Sequence, residues 1–295
     1  MPSRVRVLSV FPLLFATVLC GAQNATCTNF QFFSTGYSTA INRWGTVVGV
    51  TASPNHPTWQ GFIRSSNGGF TTYDFPNSSQ TWFNKRNALG DTVGNYWDSA
   101  QSHKLCNACP HNHGFVLSGS SALSVDYPGA DRTWLTGINY WRTIVGNYTT
   151  PSGTFAAFQL KNGVLTSIHY PGSISTSAGS ISDTGVIVGG YLDTQRLGHG
   201  FVLQNGVYTT LDNPKADPNS GTRLDDINSS GAIVGSYYDS NSIAHSFIYI
   251  NGVFKEIIVP NAIYVGVTGL NGYGDVTGTA NFYPLNYTYF TARCQ

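Results

Sequence analysis

The pattern Asn-x-x-Gly-x-x-x-Gly recurs six times, at residues 42–49 (NRWGTVVG), 87–94 (NALGDTVG), 139–146 (NYWRTIVG), 182–189 (SDTGVIVG), 228–235 (NSSGAIVG) and 271–278 (NGYGDVTG). Ser182 once replaces the Asn, and Arg142 once replaces the first Gly. Successive copies start 45, 52, 43, 46 and 43 residues apart. Self-similarity at a fixed period of this length marks a repeat architecture in which each unit buries its apolar face against its neighbours.

Two further elements keep step with the first. A Phe follows the last Gly after 13, 21, 12, 12, 12 and 12 residues, in QGFI (60–63), HGFV (113–116), AAFQ (156–159), HGFV (199–202), HSFI (245–248) and TYF (288–290). An apolar stretch closing on proline comes next, ending at Pro76, Pro128, Pro171, Pro214 and Pro260, with residues 28–31 (TNFQ) as a degenerate copy at the front of the chain. The Asn-x-x-Gly segment suits a type I turn followed by a left-handed residue, and the Asn-Gly pairs at 162–163, 205–206 and 251–252 are strong two-residue hairpin signals. Arg142 occupies the left-handed position, so its turn is expected to differ or to be strained. Each unit therefore reads as strand A, tight turn, strand B, longer loop, strand C, tight turn, strand D.

Four antiparallel strands per unit of about 45 residues is the spacing of a propeller blade. The N-terminal segment supplies a lone D strand near 28–33, and the C-terminal segment supplies A, B and C without D near 265–292. Joined, they complete a sixth blade and leave no open sheet edge in the ring. A β-solenoid would have shorter coils and terminal caps, and a pair of sandwiches gives no reason for a split unit. The expectation is an all-β, six-bladed β-propeller of four-stranded antiparallel blades, with its ring closed by the N-terminal outer strand on the C-terminal strands.

Arg4 and Arg6, an apolar run over residues 7–19 and the small residues Cys20, Gly21 and Ala22 have the layout of a secretory signal peptide, giving a leader at 1–22 and one propeller domain at 23–295. The run is too short to span a bilayer. Without the leader's two arginines, 13 basic face 14 acidic side chains, so no basic patch suggests nucleic acid. Only 10% of residues are charged, while Gly (33), Tyr (17) and Phe (17) abound, which fits a secreted or periplasmic all-β protein. The four remaining cysteines then favour two disulfides. Cys27 begins the lone D strand and Cys294 ends the lone C strand, so this pair would staple the ring. Cys106 and Cys109 would form the second, within the one long B-to-C loop. Zinc held by Cys106, Cys109, His111 and either His103 or His113 is the alternative for that loop; the expectation is no metal and no cofactor.

The segments GINYWRTIVGNY (137–148), HGF (113–115) and DYPGA (126–130) resemble the bacterial HAF-type extracellular repeat family, over nearly the whole mature chain. The resemblance implies export and a repeat architecture. It carries over no catalytic or binding residue.

His113, His199 and His245 share one repeat position, and the same three units carry Asp98, Asp193 and Asp239 four residues after the last Gly of strand B. The other units lack both, so each Asp and His are expected to touch and pin the B-to-C loop structurally. If D is outermost, the longer loops share one face. Trp59, Trp97, Trp134, Tyr148, Tyr238, Arg132, Arg196 and Asp217 are the candidate ligand contacts there, since aromatic faces stack on sugar rings while polar groups bind hydroxyls. Trp82 shares the repeat position of Trp134, and both also suit the wedge between blades. All six Trp precede residue 142, so this aromatic surface is lopsided. No Ser-His-Asp set, phosphate loop or metalloprotease helix is present.

The functional expectation is an exported, non-catalytic, monomeric binder of a carbohydrate, cell-envelope polymer or cell-surface protein through the longer-loop face. The alternatives are a polysaccharide hydrolase or lyase using carboxylates such as Asp98, Asp131, Asp217 and Asp225, and a scaffold without a small ligand.

Overall fold

The turn that opens each repeat forms because an Asn carbonyl accepts from the amide three residues on, as from Gly45 to Asn42 (3.0 Å) and from Gly90 to Asn87 (3.3 Å). The third residue after the Asn must then adopt positive φ: 72° at Gly45, 91° at Gly90 and, at a cost in backbone strain, 61° at Arg142. Arg142 thus keeps the same turn, and its guanidinium pairs with the buried Asp91 carboxylate at 2.8 Å. At the Asn-Gly hairpins Asn162, Asn205 and Asn251 have φ of 52°, 51° and 53°, each followed by a Gly also at positive φ, the two-residue geometry whose twist matches paired strands.

The computed structural model describes residues 23–33, 36–53, 56–98, 111–150, 152–284 and 286–295. The leader segment and Cys20, and His103, Cys106 and Cys109 of the long loop, lie outside the described residues. Every regular element described is a strand. Two precede the first complete blade: β1 (Gln23–Asn24) and β2 (Cys27–Phe33). Blade 1 is β3 (Tyr37–Ile41), β4 (Val47–Ser53), β5 (His56–Arg64) and β6 (Phe70–Tyr73). Blade 2 is β7 (Ser78–Arg86), β8 (Thr92–Asp98), β9 (Asn112–Ser118) and β10 (Ser121–Val125). Blade 3 is β11 (Thr133–Ile138), β12 (Ile144–Thr149), β13 (Phe155–Lys161) and β14 (Val164–Ile168). Blade 4 is β15 (Ser175–Ile181), β16 (Ile187–Leu192), β17 (Gly198–Gln204) and β18 (Val207–Thr210). Blade 5 is β19 (Thr222–Ile227), β20 (Ile233–Tyr238), β21 (Ala244–Ile250) and β22 (Val253–Glu256). Blade 6 is β23 (Tyr264–Leu270), β24 (Asp275–Phe282) and β25 (Asn286–Cys294), completed on its outside by β2.

Consecutive strands pair antiparallel within each blade, and the first strand of every blade contacts the first strand of the next around the whole ring. The protein is a six-bladed β-propeller. Closure follows the split repeat: β2 pairs with β25 from Cys27 opposite Cys294 to Phe33 opposite Tyr289, and Cys27 and Cys294 form a disulfide. One element has no counterpart in the repeats. β1 lies parallel on the outside of β22, with Gln23 opposite Lys255, and so laps the N-terminal segment onto blade 5.

The core consists of the wedges between blades. The repeated Phe of the third strand, at 62, 115, 158, 201, 247 and 290, is 0% exposed in every blade. Between blades 3 and 4, for example, Val145, Ala157 and Ile168 pack against Ala178, Ile181 and Phe201. The last Gly of each motif makes room for this packing. A Cβ at Gly94 would stand 1.9 Å from the Trp82 carbonyl oxygen, and one at Gly235 would stand 2.2 Å from that of Arg223.

The repeat Asn has a second task. Its side-chain oxygen accepts amides within its own turn, as Asn42 does from Trp44 (2.9 Å) and Thr46 (3.0 Å). Its side-chain nitrogen donates to the carbonyl of the equivalent residue in the next blade: Asn42 to Asn87 (3.3 Å), Asn87 to Asn139 (3.2 Å), Asn139 to Ser182 (3.1 Å), Asn228 to Asn271 (2.9 Å) and Asn271 to Asn42 (3.2 Å). Trp44 and Trp141 extend the same seam, each donating its indole N–H to a carbonyl of the next blade, Ala88 (3.0 Å) and Asp183 (3.1 Å).

Candidate functional site

Each innermost strand slips register at one equivalent position, Thr39, Asn84, Thr136, Gly179, Asp225 and Thr268, and β7 slips a second time at Ser79. A bulge re-aims its extra side chain, and here all six positions line one central cavity of about 970 Å³. In four blades the re-aimed group donates to a carbonyl of the next blade: Thr39 to Phe83 (2.7 Å), Asn84 to Leu135 (2.8 Å), Thr136 to Ala178 (3.0 Å) and Thr268 to Ser38 (3.0 Å). Gly179 has no side chain to offer, and the Asp225 carboxylate instead meets Arg223 at 2.6 Å. Burial pushes the Asp225 carboxyl up, against the opposing pull of Arg223.

One wall of the cavity is aromatic, formed by Trp82, Trp97, Trp134 and Phe155 of blades 2 and 3. Trp82 and Trp97 have ring centroids 5.6 Å apart, and Trp134 meets Phe155 edge-on at the same distance. Asn84, Asn95, Asn112 and Asn147 line the same cavity. Asn147 spends both its amide atoms on the backbone of Ala178, at 2.8 and 3.0 Å. By contrast Trp82 Nε1, Asn112 Oδ1 and Ser180 Oγ are buried, line the cavity and have no hydrogen-bond partner. Unsatisfied buried polar atoms are uncommon in folded proteins; these three are closed off from solvent at the base of residues that line the cavity.

Charge in the cavity is largely self-compensated. Two carboxylates line it, and both are paired: Asp225 with Arg223, and Asp226 with Lys85. Arg132 also lines the cavity; its side chain is 52% exposed, and its acidic neighbour Asp131 is 3.9 Å away.

Of the candidate ligand contacts, Trp97, Trp134, Arg132 and Tyr238 line the cavity, and the others do not. Trp59 stands behind Trp82 at 6.3 Å between centroids, and Tyr37 lies a further 5.7 Å beyond it. Tyr148 is stacked on Tyr127 at 3.7 Å, where burial pushes its hydroxyl up to about 12. Arg196 is held away in the loop before β17, at φ 66°, its amide bonded to the Asp193 carbonyl. Asp217 turns its carboxylate onto the amide of Asn219 (2.8 Å), capping a turn. Trp82 and Trp134, whose shared repeat position suits the wedge between blades, both line the cavity. Of the four acids considered for catalysis, only Asp225 lines the cavity.

The Asp-His relationship recurs in three blades. His113, His199 and His245 place Nε2 at 3.6, 3.5 and 3.3 Å from Asp98, Asp193 and Asp239. Each Nδ1 has a closer acid that the repeat comparison missed: Asp126 at 2.9 Å, Asp212 at 2.7 Å and Glu256 at 2.7 Å. The imidazoles also stack on Tyr96, Tyr191 and Tyr237, with centroids 5.0, 4.9 and 4.9 Å apart. In blade 1 Gln60 takes the His position and donates to Asp74 at 2.6 Å. An acid near the end of the fourth strand was the legible signal, since Asp74, Asp126 and Asp212 all stand two residues before its proline.

No protein-family model matches the chain, and no curated protein matches it in sequence. Solved structures are similar in fold at low identity. A fungal lectin from Aleuria aurantia, described as a six-bladed β-propeller with a novel mode of fucose recognition, is 12% identical with a TM-score of 0.52, over 88% of this chain and 91% of that one. TolB from Acinetobacter baumannii is 13% identical with a TM-score of 0.53, over 84% of this chain and 63% of that one. A gluconolactonase from Xanthomonas campestris is 10% identical with a TM-score of 0.50, over 94% and 96%. At these identities the shared property is the six-bladed ring.

Proposed function

We propose that the protein is an exported, non-catalytic binding protein that takes a carbohydrate into its central cavity from the longer-loop face. The observation that carries this reading is the cavity wall itself, which Trp82, Trp97 and Trp134 line together with Asn84, Asn95, Asn112 and Arg132. Tryptophan faces accept the C–H side of a sugar ring, and amide and guanidinium groups lining the same cavity serve hydroxyl groups. A neutral or mildly polar ligand of this kind also suits a cavity whose carboxylates are already ion-paired.

Export is supported by the disulfide, which belongs in an oxidising compartment, and by the HAF-type resemblance of the repeats. No helix among the described residues is long and apolar enough to cross a membrane. The fungal lectin of similar fold is described as recognising fucose, which accords with a sugar ligand for this ring. The hydrolase reading needs two free carboxylates flanking a bond; Asp225 and Asp226 are sequence neighbours already engaged by cations.

A glycan array probed with the protein tests the proposal. Expected is retention on a defined set of glycans, without release of reducing ends on prolonged incubation. Retention on none of them would overturn the binding reading, and release of sugar would overturn the non-catalytic one.

A further inference from the structure

Blade 2 differs from blades 4 and 5 at one place beside its Asp-His pair. Two residues before the shared histidine, blades 4 and 5 carry Leu197 and Ile243, whereas blade 2 carries His111. Residues alternate sides along a strand, so His111 joins His113 on one side while Asn112 between them lines the central cavity. The local backbone clamps this arrangement. Asp98 donates its amide to the His111 carbonyl (3.2 Å), and the His111 amide donates to Asp98 Oδ1 (3.0 Å). Asp98 Oδ2 is thereby left facing His113 Nε2 at 3.6 Å. One ligand atom from each of Asp98, His111 and His113 lies within 4.8 Å of the others.

We propose that these three side chains form a binding site for one divalent transition-metal cation, with zinc the best match. The site lies outside the carbohydrate cavity and stands independently of that reading. Two imidazoles and a carboxylate are a borderline donor set suited to zinc. Bonds of about 2.0–2.1 Å in a tetrahedral site put neighbouring donors roughly 3.4 Å apart; the Asp98–His113 edge is near that value, and the partly exposed His111 needs only a small side-chain rotation. A carboxylate stands behind each imidazole, Asp126 at 2.9 Å from His113 Nδ1 and Asp131 at 3.5 Å from His111 Nε2. Such acids orient ligating histidines and raise their basicity. Blades 4 and 5 keep the Asp-His pair with an aliphatic residue at this position, so the pair itself does not require a second imidazole. Three protein ligands leave a coordination position open to water or to a ligand group.

The test is calorimetric titration of the untagged full chain with zinc chloride, repeated with cobalt to read visible absorption. His111→Leu copies the blade 4 residue and is expected to fold, as its circular dichroism and melting temperature would report. Expected is one zinc per chain in the wild type, weakened roughly 100-fold or more in His111→Leu and retained in His199→Gln and in the Cys106→Ser, Cys109→Ser double variant. Absence of zinc binding in the wild type, equal binding in His111→Leu, or loss in the cysteine variant would each overturn the proposal.

Discussion

Lys85 of blade 2 forms an ion pair with Asp226 of blade 5, the blade diametrically opposite in a ring of six. Both residues follow the bulge of their innermost strand, so the pair spans the axis at the turn-face end of the cavity. The Asp226 side chain is 2% exposed and also accepts the amides of Leu270 and Ile227, each at 2.9 Å. Removing one member of a buried pair leaves an uncompensated charge. Lys85→Met should therefore lower the unfolding free energy by about 3–5 kcal/mol, measured by urea denaturation. Adding Asp226→Asn should recover a large part of that loss; an unaltered midpoint in Lys85→Met would mean the pair does not seal the axis.

The side-chain ring of turn asparagines is broken where Ser182 stands, because its short hydroxyl stays within its own turn, accepting from the Val186 amide (3.1 Å) and bonding the Thr184 hydroxyl (2.9 Å). Ser182→Asn restores an amide able to reach the Asn228 carbonyl and should raise stability by roughly 0.5–1.5 kcal/mol. Asn139→Ala, which removes a bond that exists, should cost about 1–3 kcal/mol. Thermal melts of the two variants are expected to move in opposite directions.

The Cys27–Cys294 bond closes a loop with a sequence separation of 267 residues. Reduction, or Cys27→Ser, should cost about 5 kcal/mol in the chain-entropy account. Because Cys27 belongs to the strand that completes blade 6, hydrogen exchange in the reduced protein should accelerate first in β2 and β25. Uniform acceleration across all blades would argue against a local clasp.

The His-acid clusters impose a pH window. Burial alone would lower the His199 pKa, but its hydrogen bond and charge contact with Asp212, and then Asp193, raise it above the ordinary 6.5. A raised histidine contributes stability fully below that value and loses it as pH climbs through the folded pKa. The backbone amides of Leu197 and Ile243 hold Asp193 and Asp239 below the ordinary 3.8, so their contribution is present above it and is lost as pH falls through the folded values. Stability should peak between roughly pH 4 and 6.5. Urea midpoints at pH 5.5 and 8.5 should differ in the wild type, and differ less in His199→Gln.

The propeller was legible because its evidence is periodic: the Asn-x-x-Gly turns, the third-strand Phe and the split sixth unit all recur at fixed offsets. What lay beyond the sequence were contacts between copies. The same Asn42 that marks a turn also bonds Asn87 in the next blade, and local spacing records only the first role. The bulges at Thr39 and its five counterparts are single inserted residues that alternation does not reveal, yet they decide what faces the axis. That is why spacing alone suits Trp82 and Trp134 to a wedge when both line the cavity, and why Arg196 and Asp217, whose loops share the correct face, are held out of it by their own capped turns. The Asp98–His113 spacing pointed to one partner of the imidazole; Asp126, on the far end of the hairpin, is the closer one.

Tryptophan fluorescence titration with the glycan that the protein retains, in the wild type and in Trp97→Ala and Trp134→Ala, tests the central claim most directly. Both substituted positions line the cavity and neither is among the fully buried core residues. The account expects a saturable change in emission in the wild type and roughly five- to twelvefold weaker binding in each variant, from loss of stacking worth roughly 1–1.5 kcal/mol. Wild-type affinity in both variants, with folding intact, would contradict it.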